Sequence, residues 1–440
     1  MRSHAKSPPL LPGMAECIFH ICGLLPNVIS ECSPQDITNT LWGIARLFPG
    51  GASGAQGHVH RVSVLSHAII RQCAQRVAVL TSQSMANSFW AMARLEARGP
   101  DVERYVGLAL DRLRAPAQLE PFTPQGLANV LWALARRRTA GAGGGPQGSG
   151  LQPTLLAVAE AAAGRLLEFQ AQELSMVAWS YGKLYEFRKE EAGPARGGRA
   201  SPRPAPVNDL LRKLAAVAAE RIDRFEDQGV SNIAWALATL GLTGAAPQAF
   251  LEAAMVHCTA ELGGYSAQAV ANLLWACVRM DNFSPGGSAR STIERFCSAV
   301  AEEMMRRMTT HPNHLRRDKH GSDTTVSWRD VAGVAVALSH WGQNRSRSVM
   351  TFMILLSLQA AEWVAKGLLT SQQMFNIARS AARLHVPREH MQKLVDAIEA
   401  CIMIRGLRLN DIDKRQWEEV QQWCPSGEAS NAGMLYDTWD

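Results

Sequence analysis

NVLWALARR at 129–137 decides the fold, because the chain repeats it. The same phrase returns as NTLWGIARL at 39–47, NSFWAMARL at 87–95, MVAWSYGKL at 176–184, NIAWALATL at 232–240 and NLLWACVRM at 272–280. Two weaker copies follow, GVAVALSHW at 333–341 and NIARSAARL at 376–384. The Trp position is thus 42, 90, 132, 179, 235 and 275, then Val336 and Arg379. Internal repetition at this scale is the mark of stacked supersecondary units, none of which can bury its apolar face alone.

The frame can be checked without the Trp. Nine residues before it stand Ser33, Thr81, Thr123, Gln170, Glu226, Ser266, Ser327 and Thr370. Most of these are Ser or Thr, whose hydroxyl accepts a hydrogen bond from the orphan N–H groups of a helix start. Two residues further on come Gln35, Gln83, Gln125, Gln172, Gln228, Gln268, Arg329 and Gln372. Ser327 with Asp330 has capping-box spacing. The two Trp-less copies obey the same frame and are true repeats.

Each phrase reads as one helix of about four turns, here B, preceded by another helical pattern, A. The A segments are 14–30, 59–79, 101–114, 154–168, 207–224, 247–261, 289–308 and 350–366, with 388–404 after the last B. The fold expected is all-α, an α-solenoid of about eight degenerate helix-pair repeats over 14–404. Trp-to-Trp spacings of 48, 42, 47, 56 and 40 set the unit near forty residues. The longer ones are explained by Gly-, Pro- and charge-rich inserts at 138–150, 189–206 and 309–327, expected as projecting loops. Residues 1–13 form an N-terminal extension that suits a presequence remnant; 405–440, with Trp417, Trp423 and Trp439, leaves the repeat and is expected as a cap or docking tail.

Composition fits. The 440 residues are 47% hydrophobic and 19% charged, which describes a folded, helix-rich chain. Lys and Arg exceed Asp and Glu by 45 to 39, an excess that permits a polyanionic partner without demanding one. Nine cysteines form no CxxC pair and read as buried thiols in a reducing compartment. No run approaches eighteen consecutive apolar residues, so no membrane partner is expected.

Helical periodicity turns the phrase into a surface. With the Trp at 0° and 100° per residue, the Gln seven back falls at about 20°, the Asn three back at about 60° and the residue four on at about 40°. The Asn column is Asn39, Asn87, Asn129, Asn232, Asn272 and Asn376, with Met176 and Gly333 in the other copies. The position four on holds Arg46, Arg94, Arg136, Lys183, Arg279 and Arg383, with Thr239 and His340 in the others. The opposite face carries Val130, Leu131 and Leu134 in one copy and Ile233, Ala234, Leu237 and Leu240 in another, and should pack on the A helices. Small flanks such as Ala133 and Ala135 let neighbouring B helices approach.

An amide, an aromatic plane and a cation repeated on one concave stripe suit single-stranded nucleic acid: bases stack on indole or guanidinium, amides meet base edges and cations meet phosphate. Two readings of Trp42, Trp90, Trp132, Trp179, Trp235 and Trp275 stand at this stage, as stacking planes or as fillers between adjacent B helices. The Asn column can likewise serve RNA or bond across repeats. A basic loop, Arg316, Arg317 and Lys319, adds a second candidate RNA contact. The nearby His311, His314 and His320 read as part of that polar loop and not as a metal site. No Walker loop, GxSxG elbow, HExxH or zinc spacing occurs, so neither catalysis, cofactor nor small-molecule substrate is expected.

The phrase NxLWALARL behind a Ser/Thr-x-Gln cap resembles the octotricopeptide repeat family, and is similar to the related heptatricopeptide and FAST-kinase-like repeats. The resemblance covers roughly 14–404 and is strongest in copies one, two, three, five and six. It implies an RNA-binding α-solenoid of mitochondria, or alternatively plastids, acting on mRNA or rRNA in transcript stability, translation or ribosome assembly. In some protists such proteins are ribosomal components that hold fragmented rRNA, which would make ribosomal proteins partners too. Many members end in a RAP-type nuclease-like domain, and 405–440 shows no such pattern. The competing reading is an armadillo- or HEAT-like scaffold whose stripe grips a peptide.

Overall fold

A computed structural model describes residues 28–48, 56–139, 150–191, 203–281, 290–310, 327–341 and 346–424, with His20 and Leu24. The expected fold class holds: helices alternate along the chain and there is no strand among the described residues. The Trp-phrase helices are α1 (Pro34–Leu47), α3 (Ser82–Arg94), α5 (Pro124–Thr139), α7 (Ala171–Glu191), α9 (Asp227–Leu240), α11 (Ala267–Asp281), α13 (Trp328–Trp341) and α15 (Ser371–Arg383). Between them lie α2 (Gln56–Gln75), α4 (Pro100–Leu113), α6 (Leu151–Ala163), α8 (Ala205–Glu220), α10 (Ala245–Ala260), α12 (Arg290–Thr310) and α14 (Arg347–Ala365), followed by α16 (Arg388–Arg405) and α17 (Asp411–Trp423).

Local chemistry starts the odd helices where the frame requires. Ser33, Thr81, Thr123, Ser266, Ser327 and Thr370 each accept the backbone N–H three residues on, at 3.1 to 3.3 Å. The Ser327–Asp330 box is closed by the return bond from the Ser327 N–H to the Asp330 carboxylate at 3.3 Å. Where Gln170 replaces the hydroxyl, the Glu173 carboxylate accepts the Gln170 N–H at 2.8 Å, so the helix start is still bonded.

The chain divides into two compact units, Met1–Phe250 and Leu251–Asp440, the boundary falling within α10. In the first unit α1, α3, α5, α7 and α9 pack one upon the next, and α2, α4, α6 and α8 form a second layer in the same order. The second unit repeats the scheme with α11, α13, α15 and α17 against α12, α14 and α16. The buried faces are those the periodicity requires: Val130, Leu131 and Leu134, and Ile233, Ala234, Leu237 and Leu240, are all buried. Helix α14 is long and apolar enough to cross a membrane by length and composition, but half of its apolar window is buried against its neighbours in the second unit.

Two features differ from the sequence reading. The tail does not leave the repeat at once, for α17 packs on α15 as a ninth odd helix. Its cap Asn410 accepts the N–H groups of Ile412 and Asp413, both at 2.9 Å, and Glu419 stands nine residues on, at the Trp position. The inserts are also narrower than expected, since α5 runs to Thr139, α7 to Glu191 and α12 to Thr310, and α8 starts at Ala205. Residues 140–149, 192–202 and 311–326 of the three inserts lie outside the described residues, as do 1–13, most of 14–30, Trp439, Arg316, Arg317, Lys319 and the three loop histidines.

A recurring side chain locks successive repeats. Arg76, at the end of α2, donates to the carbonyls of Cys32, at 2.6 Å, and Ser30, below the cap of α1. Arg112 donates likewise to Leu80, at 2.9 Å, and Val77, Arg165 to Phe122 at 3.0 Å, and Arg221 to Phe169 and Leu167. In the second unit Arg307 reaches the Leu262 and Tyr265 carbonyls at 2.8 and 2.9 Å. Each guanidinium grips the carbonyl just before the preceding odd helix's cap, and at Arg307 the acceptors are buried and would otherwise need water.

Candidate nucleic-acid interface

The polar stripe of the odd helices faces solvent in both units. Gln35, Gln83, Gln125, Gln172, Gln228, Gln268 and Gln372 are exposed. Asn39 is exposed, while Asn87, Asn129, Asn232, Asn272 and Asn376 are half-buried. Arg46 and Arg279 are exposed; Arg94, Arg136, Lys183 and Arg383 are half-buried.

Neighbouring amides touch across repeats. Asn87 donates its side-chain amide towards the Asn39 oxygen at 3.5 Å, and Gln416 of α17 donates to the Asn376 oxygen at 3.2 Å. At these two junctions the Asn position bonds between repeats through side chains.

The Trp column combines both readings. Trp42 is 37% exposed, Trp132 only 7%, and Trp90, Trp179, Trp235 and Trp275 lie between. The ring leans towards the preceding helix: a Cβ on Gly182 of α7 would stand 2.6 Å from Cζ3 of Trp235 on α9. Gly182 is the small flank that makes room for it. Trp42, in the first copy, lies 6.1 Å from Trp90 between ring centroids, tilted by 39°. Only ring faces and edges not used by this packing can meet a ligand.

Cations sit over those rings. The Arg46 guanidinium is 4.9 Å from the Trp42 centroid, Arg136 5.6 Å from Trp132 and Arg279 5.3 Å from Trp275. Lys183 lies 4.3 Å over Trp235 of the next helix. Such contacts flatten the cation onto the aromatic and leave its remaining donors outward. An aromatic plane beside an outward cation can take a base and its phosphate together.

The cations are not electrostatically equal. Lys183 pairs with Glu186 at 2.8 Å, and Arg383 with Glu419 at 3.1 Å. Glu419 also takes Arg379 at 2.7 Å, and these two guanidinium groups hold its carboxyl below the usual carboxylate range. In the first unit, burial and then the positive fields of Arg136 and Arg46 push Arg94 below its ordinary range. The sequence reading treated all six cations alike and missed both acidic partners; the i, i+3 spacing of Lys183 and Glu186 was the visible signal for one of them.

No family of known proteins matches the chain, and no curated protein matches it either.

Proposed function

We propose that this protein is a non-catalytic RNA-binding repeat protein of an organelle, a mitochondrion by preference, that holds single-stranded RNA along its odd helices. The observation that carries the reading is the solvent-facing stripe of amide, indole and cation, recurring at one frame position of successive helices. Burial explains the opposite faces of those helices, and capping explains their starts. Packing asks for no outward Gln or cation at these positions. The octotricopeptide-like phrase supports the organellar setting, with rRNA or mRNA as the ligand and ribosomal proteins as further partners.

The first test is anisotropy of a labelled single-stranded RNA with the full chain across a salt series. Affinity that falls steeply with salt supports the proposal, because phosphate contacts release counterions. RNA affinity that is absent, or unchanged by salt, overturns it and leaves the peptide-gripping scaffold. Crosslinking in cells followed by sequencing of bound RNA identifies the ligand, and sedimentation shows whether the protein travels with ribosomes.

A further inference from the structure

Three of the stripe's cations stand over an indole of their own helix: Arg46 over Trp42, Arg136 over Trp132 and Arg279 over Trp275. Each follows its Trp by four residues, the spacing that brings two side chains together on one helix face. The inner member of the pair is the ring. Trp132 is 7% exposed, whereas the Arg136 side chain is 43% exposed, and Trp275 is half-buried beside an exposed Arg279. Trp42 is more open, but Trp90 packs against it. At Trp132 and Trp275 the group that an incoming ligand meets first is therefore the guanidinium. The cover over Trp235 differs in kind, since Lys183 brings an ammonium, which carries charge but no plane. At Arg136 one N–H edge is already taken, Nη2 donating to Glu96 at 3.4 Å.

We propose that Arg46 and Arg136 in the first unit and Arg279 in the second are the platforms on which unpaired RNA bases stack, each tryptophan serving as the backing of its guanidinium. The inference rests on the RNA reading and assigns which group of the stripe meets the bases. A guanidinium suits this role because it is planar, delocalised and more weakly hydrated than an ammonium, so covering its face costs little desolvation. The negative face of the indole holds the cation in place from below. A base on the guanidinium face leaves the Arg136–Glu96 bond intact, whereas a phosphate at the N–H edge competes with it. The competing role for these arginines is that of phosphate clamps. An ammonium can fill that role as a point charge, but it offers a base no plane, and this difference separates the two.

The experiment compares the full chain with R46K/R136K/R279K, which keeps every charge and removes three planes. Two labelled probes of equal length are titrated over a salt series: a single-stranded RNA, and an oligomer of the same sugar–phosphate backbone without bases. Loss of one stacked base lowers affinity by about fivefold or more, so the triple variant should bind the RNA at least about tenfold more weakly. Its salt slope should stay within about 0.7 of the wild-type value, the share of one phosphate contact, because no charge is lost. Its affinity for the base-free oligomer should stay within about twofold of the wild type. A triple variant that binds RNA as tightly as the wild type overturns the inference, since the bases then lie on the indoles or elsewhere. Equal weakening towards both probes overturns it too, and assigns the arginines to the phosphates. Arg136→Lys, measured alongside, carries the same test at about fivefold should the triple variant melt early. Failure of the RNA reading looks different: the wild type itself would bind neither probe, or bind both without salt dependence.

Discussion

Replacing Arg307 tests the lock between repeats most directly. Its side chain is 6% exposed, Nη2 donates to the Leu262 and Tyr265 carbonyls at 2.8 and 2.9 Å, and Nε meets Glu303 at 2.6 Å. Arg307→Met keeps the apolar stem and removes every donor. The two charge-assisted bonds to the carbonyls, at about 1.5–3 kcal/mol each, give a gross loss of about 3–6 kcal/mol, to which the lost bond to Glu303 adds. Water entering the vacated end recovers part of that, and Glu303 keeps Arg306 at 2.6 Å, so the carboxylate is not stranded. The expected cost is about 2–4 kcal/mol. Arg307→Lys should recover no more than about half of it, because one ammonium cannot span two carbonyls as the fork does. Urea unfolding of the full chain, followed by circular dichroism, should show the midpoint of the second unit fall by about 1 M or more. Hydrogen exchange should then quicken in α11 and α12, the helices the side chain joins. A Met variant within about 0.5 kcal/mol of wild type would refute the reasoning, since that is the range of ordinary surface changes.

Three further outcomes are expected. Trp132→Ala should cost about 3–5 kcal/mol of stability, and Trp42→Ala clearly less, since its ring is 37% exposed against 7% for Trp132; paired urea melts check this, and equal costs would contradict the leaning-ring geometry. Gly182→Val should destabilise the first unit by about 1–3 kcal/mol through overpacking, because its Cβ would also stand 3.3 Å from the Ala236 backbone; a shift in tryptophan fluorescence should report the displaced Trp235. Glu303 and Glu419 both have folded-state pKa values lowered by their arginines, so the stability they contribute is present above the ordinary carboxylate range and lost as pH falls through the folded values. Urea midpoints of the second unit at pH 7, 5, 4 and 3 should therefore drop mainly below about pH 4.5, and Glu419→Gln should weaken that drop.

The cap-to-Trp frame was legible because capping is local chemistry: a hydroxyl three residues before an orphan N–H bonds it wherever the helix sits. The stripe was legible because 100° per residue fixes which side chains share a face. The ninth repeat escaped notice because Asn410, Ile412 and Glu419 stand where Ser or Thr, Gln and Trp were expected. Yet Asn caps helices as well as Ser does, and it lies forty residues beyond Thr370. The arginine locks were harder to see. Arg76, Arg165 and Arg221 share a place fourteen residues before the Trp, but the extra turn Pro116–Leu119 displaces Arg112 and the insert after α12 displaces Arg307. Their partners are backbone carbonyls, which carry no sequence signature.

Those locks change the argument for function. Large cations that repeat in a helical array can serve the fold itself, as Arg76, Arg112, Arg165, Arg221 and Arg307 do. Repetition of arginine is therefore no sign of a polyanionic partner by itself. What separates the two columns is the company each keeps. A guanidinium facing carbonyl oxygens is satisfied by the fold, and so is Arg383 facing Glu419. Arg94 instead faces two other arginines and keeps a buried donor unbonded. The case for RNA therefore rests on the outward stripe of amide, indole and cation together, and not on how often arginine recurs.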